Sequence, residues 1–149
     1  MWGESGASGF FEDVHVLIVV VLGMSILLGS LAAAWAARET AAEAAAFRSE
    51  AGRVLRALAE DPSILHAGRL GLLDLSAIEH LNSTGLVHIA RPAGAAQLLI
   101  SEESGDARRT FQVETEPLGT ERATASTATA VWHSDLDVRT ARITVTVGR

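Results

Sequence analysis

The chain has no cysteine, so disulfides and thiolate-ligated metals are excluded. It also has no lysine and no tyrosine, and its 12 formal cations are all arginine. Only three prolines occur, Pro62, Pro92 and Pro117, so nothing before residue 62 must break a helix. No stretch is basic enough for nucleic acid: the formal charge of −6 is spread along the chain. Residues 62–149 hold eight arginines against ten acids, and the first 13 residues hold three acids and no arginine. Phosphate-binding and dinucleotide-binding glycine loops are absent, as is a G-x-S-x-G nucleophile turn. The five histidines, His15, His66, His80, His88 and His133, show no short metal-ligand spacing. The sequence therefore names no catalytic residue, no cofactor and no metal site.

Charge is also missing from Val14 to Ala37, 24 residues in a row. At about 1.5 Å per residue such a helix spans the roughly 30 Å hydrocarbon core of a bilayer. The acidic start and the length of the run argue for a retained anchor and against a cleaved signal peptide, although Ala34–Trp35–Ala36 imitates a cleavage site. Helix-forming residues continue from Arg38 to Asp61, where Asp61–Pro62–Ser63 stops the helix. The arginines between 38 and 56 interleave with Glu39, Glu43 and Glu50, which reads as a solvated face. Orientation is open at this point. Arg38 and Arg48 place the following domain in the cytoplasm by the positive-inside rule, whereas the Thr-rich pattern downstream resembles an exported domain.

Two stripes run along this helix. Small residues recur every four positions at Ser25, Gly29, Ala33, Ala37 and Ala41, a pattern that lets helix backbones approach closely in lipid. Ala44, Phe47, Ala51, Val54 and Leu58 then follow alternating spacings of three and four, the pattern of a packed seam. The seam is expected to seat on the chain's own β domain, with partner helices as the alternative.

Residues 62–149 predict a small β-rich head. Gly68 and Gly71 mark a loop, and Ser76 and Glu79 have capping-box spacing for a short helix ended by Asn82–Ser83–Thr84–Gly85. From Leu86 the apolar period reads as two, predicting strands over 86–91, 97–101, 110–115, 123–132 and 141–147. A polar hairpin loop is expected over 102–108. The fold class is α+β: a long N-terminal transmembrane and amphipathic helix, then a small head of four or five antiparallel strands. The expected organisation is a tail at 1–13, a transmembrane segment at 14–37, an amphipathic continuation at 38–61 and the head at 62–149. Asn82, the only asparagine, opens an Asn-Ser-Thr glycosylation sequon that reads equally well as a polar turn.

This plan, with Gly9–Phe10–Phe11–Glu12–Asp13 ahead of the apolar run in the manner of a degraded prepilin processing site, resembles the type IV pilin superfamily, especially archaeal pilin-like proteins. The ending Ala141–Arg142–Ile143–Thr144–Val145–Thr146–Val147 is similar to the terminal strand of such heads. The resemblance implies a membrane or cell-surface protein that assembles with like or related subunits through its N-terminal helix. It also implies a pairing role for Glu12 at a neighbouring subunit's N-terminus. Two other functions fit the residues: a single-pass accessory subunit whose head docks a partner, and a membrane-tethered binding or enzymatic module.

Overall fold

The computed structural model describes residues 5–104 and 107–149, and the side chains within those ranges except at 5–13, 104 and 107. The chain divides into two compact units, Met1–Ala42 and Glu43–Arg149. Helix α1 is Ser5–Glu60. It starts well before the apolar run, and its last turns belong to the second unit. Within the first unit, Ser25 Oγ donates to Val21 O at 2.7 Å and Ser30 Oγ to Leu27 O at 2.8 Å. These bonds satisfy both hydroxyls inside the helix, as an apolar solvent requires.

The head is a five-stranded sheet in the order β1-β4-β5-β2-β3. Its strands are β1 Leu72–Asp74, β2 Ala95–Ser104, β3 Ala107–Glu114, β4 Arg122–Ser134 and β5 Asp137–Gly148. Four are joined by antiparallel pairings, β2 with β3, β2 with β5 and β4 with β5. The fifth, β1, runs parallel to β4, with Leu73 opposite Val131. The fold is thus α+β with a mostly antiparallel sheet, and the wholly antiparallel expectation is corrected at β1. A three-residue strand is too short to show a period, so its sequence reads as loop.

A second correction concerns residues 86–91, expected as a strand. Residues 86–90 lie in helix α3, Ser83–Ala90, which follows helix α2, Leu75–His80, and Arg91 caps its end. Leu-Val-His-Ile-Ala satisfies both periods, and the caps decide between them. Asn82 Oδ1 accepts from Gly85 N at 2.8 Å, so this turn opens a helix instead of closing one. Leu86 and Ala90, four apart, are buried, and Arg91 ends the helix in the left-handed region (φ 44°) before Pro92. The N-cap of α2 is Asp74, whose Oδ1 accepts from Ser76 N at 2.9 Å, and Ser76 is inside the helix.

The 102–108 segment, expected as loop, is largely ladder: Glu102 opposes Arg109 and Glu103 opposes Arg108. The predicted turn Ser104–Gly105–Asp106 lies outside the described residues. One sheet face carries the core. Leu98, Ile100, Ile143, Val145, Val147, Ala123 and Val131 cluster with Ala51, Val54, Leu55 and Leu58 of α1 and with Ile78, Leu86 and Ala90. The other face is polar: Thr124 Oγ1 and Thr146 Oγ1 lie 3.1 Å apart there.

Candidate functional site

The residues expected to make contacts fall into two groups, one in each unit. In the first unit the side chains from Val16 to Trp35 are exposed, including every Val, Leu and Ile. The best 18-residue window of the helix has a mean hydropathy of 2.7, and none of it is buried. Among the described residues one helix is therefore long and apolar enough to cross a membrane. Ser25, Gly29, Ala33, Ala37 and Ala41 are all exposed, and a methyl group added at Gly29 would meet nothing within 4 Å. The side chain of Glu12 lies outside the described residues.

In the second unit, Ala51, Val54 and Leu58 are fully buried and Phe47 is half-buried. Ala44 is exposed, and Leu55, which the three-four spacing does not pick out, is buried. A polar clamp flanks this seam. Arg53 makes a bidentate pair with Glu50, at 2.8 and 2.7 Å, and donates onward to Ala90 O at 3.0 Å and Arg91 O at 2.8 Å. Glu50 Oε1 accepts from Ala93 N at 3.0 Å. The clamp satisfies the carbonyls that the end of α3 leaves open. The Arg53 hydrogen bond, above all, holds the Glu50 carboxyl below its ordinary range. Near Phe47, the Arg149 guanidinium sits 4.9 Å from the ring centroid and its Nε donates to Glu121 at 2.8 Å.

Two side-chain clusters have no counterpart in the sequence reading. His66 stacks on Trp132 with ring centroids 3.9 Å apart, and its Nδ1 lies 3.1 Å from Asp74 Oδ2. Asp74 also accepts from Ser76 Oγ at 2.6 Å. The Ser76 bond first, and the His66 bond second, lower its pKa from 3.8 to about 2. On the next residue of β4, His133 places its Nε2 3.2 Å from Oε2 of Glu102, which is 1% exposed and whose Oε1 has no partner among the described residues. These pairs join residues far apart in sequence or across a loop, so no local spacing could reveal them. Among the described residues no group of three or more His, Asp or Glu side chains is placed to hold a metal ion.

The Asp74 cluster carries a prediction about stability. Its folded pKa is depressed, so its contribution is fully present above about pH 3.8 and is lost as pH falls toward 2. Asp74→Ala removes both the cap of α2 and the His66 bond. It is expected to destabilise the head by about 1–2 kcal/mol at pH 7 and to flatten the acid limb of the unfolding curve in that window. A denaturant titration at pH 7 and at pH 3 checks both; an unchanged acid limb would remove Asp74 from this role.

No protein-family model matches the chain, and neither does any curated protein or any solved structure.

Proposed function

We propose that the chain is a non-enzymatic structural subunit, a pilin-like component of a cell-surface filament that assembles through its N-terminal helix. One observation carries this reading. A single helix, Ser5–Glu60, presents apolar and small residues all round in one unit and supplies the fully buried seam of the head in the other. An anchor alone needs only the first part. A subunit that packs by its helix and displays its head needs the helix to be part of the head's core, as Ala51, Val54 and Leu58 are. The exposed stripe Ser25, Gly29, Ala33, Ala37 and Ala41 supplies a surface for neighbouring helices. In this reading the head lies on the cell surface, Asn82 is accessible to glycosylation, and Glu12 pairs with a neighbour's N-terminus.

A second reading has the same anchor in an accessory subunit of a membrane complex. The unpaired outer edge of β3 favours it, because an open strand is a ready docking site. Deleting the gene and shearing cells separates the two. The filament reading expects the chain in the sheared fraction and filaments missing from the deletion strain. Retention of every copy in the membrane, at fixed ratio with an unrelated complex, would overturn it in favour of the accessory subunit. Mass spectrometry of the mature N-terminus and of Asn82 from native membranes adds an independent reading: cleavage near Gly9 accords with pilin-type processing.

A further inference from the structure

Strand β3 is an edge, and its free side has a definite phase. In an antiparallel ladder, opposed residues alternate between pairs that exchange hydrogen bonds and pairs that do not. Thr115 N donates to Ala96 O at 2.9 Å, and these two residues continue the Gln97–Glu114 register. The bonded pairs toward β2 are therefore Val113, Phe111 and Arg109 with Leu98, Ile100 and Glu102. The same phase holds at the far side of the sheet, where Ala130 N points outward and donates to Gly71 O at 3.0 Å. Arg108, Thr110, Gln112 and Glu114 thus direct their backbone N–H and C=O groups away from the sheet. Their side chains share its polar face, and all four are exposed.

The geometry points to this edge as a self-pairing surface: β3 of one copy takes up β3 of a second copy, antiparallel, about a twofold axis through Phe111. Two requirements select that register. Outward-facing groups must meet outward-facing groups, so even positions must oppose even positions. Charge must also be complementary. With Phe111 opposite the second copy's Phe111, Thr110 opposes Gln112 and Arg108 opposes Glu114, and each of these pairs occurs twice. A shift of two residues that keeps the bonding phase sets Arg108 against Gln112 in one direction, and in the other against Glu116, which lies beyond the end of β3. Phe111 is then a non-bonded pair, the closer of the two kinds, and its half-buried ring sits on the core-side face against its symmetry mate. Such a contact uses the same patch on both copies and closes on itself. It therefore joins two copies and does not propagate a filament, so it stands apart from the function proposed above.

The absence of cysteine makes the register directly measurable. Opposed residues of a bonded pair lie about 5.5 Å apart at Cα, within the roughly 4.4–6.8 Å range of a disulfide. The full chain, reconstituted in phosphatidylcholine–phosphatidylglycerol vesicles, is made in two tagged forms, Thr110→Cys and Gln112→Cys, mixed and oxidised. The mixed disulfide is expected to exceed either homodimer several-fold. Arg108→Glu in both chains should lower its yield about five-fold, the scale of two cross-strand ion pairs turned repulsive. Arg108→Glu with Glu114→Arg in both chains should restore it, which separates lost pairing from lost folding. Equal yields for all three disulfides, indifference to Arg108→Glu, or no recovery in the double swap would overturn the proposal. So would preferential cross-linking of Thr110→Cys to Thr124→Cys, which marks head-to-tail joining of opposite sheet edges.

Discussion

Leu58→Ala lowers the unfolding free energy of the head by about 2–5 kcal/mol, the range for a fully buried leucine whose site cannot collapse. Leu58 is completely buried, one turn beyond Val54 and near the end of α1, within the cluster that holds Ile100, Ile143 and Val145. The same cluster holds alanines at 51, 90, 96 and 141, short side chains that cannot extend into a void. For a unit of this size the loss corresponds to a fall in Tm of more than about 10 °C. The comparison is Leu70→Ala: Leu70 is 74% exposed, and its truncation should change stability by no more than about 0.5 kcal/mol. Hydrogen exchange of the β5 amides, followed by mass spectrometry on the full chain in detergent micelles, reads the head without interference from the apolar segment. Equal protection in Leu58→Ala and Leu70→Ala would show that the seam is not part of the core.

Val20→Arg combined with Ile26→Arg is expected to abolish insertion of this helix into a bilayer, whereas either alone is not. The apolar run from Val14 to Ala37 holds twelve Val, Ile and Leu residues. At about 0.3–0.6 kcal/mol each near the helix centre they favour insertion by roughly 4–7 kcal/mol. One arginine at the centre costs about 2.5–3.5 kcal/mol, and long side chains near the ends reach the interface more cheaply. A single substitution therefore leaves a balance in favour of insertion, and two at depth bring it to zero or below. Carbonate extraction of membranes measures the outcome. The double variant is expected in the supernatant and the single variants in the pellet; a double variant that stays in the pellet would contradict a single bilayer span held by this segment.

The parts of the fold that were legible in the sequence are those with long, one-sided patterns. The apolar run shows in the absence of charge, and the spacing of Phe47, Ala51, Val54 and Leu58 shows a stripe. The alternation from Ala141 to Val147 falls within β5, at the centre of the sheet. What escaped was short or ambiguous. Strand β1 has three residues, and its partner β4 comes from far along the chain, so only tertiary pairing defines it. Helix α3 looked extended because an apolar pentapeptide fits either period; the Asn82 cap and the left-handed Arg91 settle it, and both act through backbone geometry. The spacing extends the seam to Ala44, which is exposed, because spacing cannot tell a turn that reaches the sheet from one that passes it. The pairs His66–Asp74 and Glu102–His133, and the Arg53 clamp on Ala90 and Arg91, depend on folds of the chain that no local motif encodes.

The order of the strands has a consequence in time. The sheet's middle member, β5, is the last of the five in sequence, while the seam that covers its inner face comes from α1. Hairpins β2–β3 and β4–β5 can close locally, but the β2–β5 ladder joins residues well apart in the chain and the contact with Ala51, Val54 and Leu58 reaches back over more than half of it, and such distant closures are slow. During synthesis the helix therefore waits with its seam open until residue 148 has emerged.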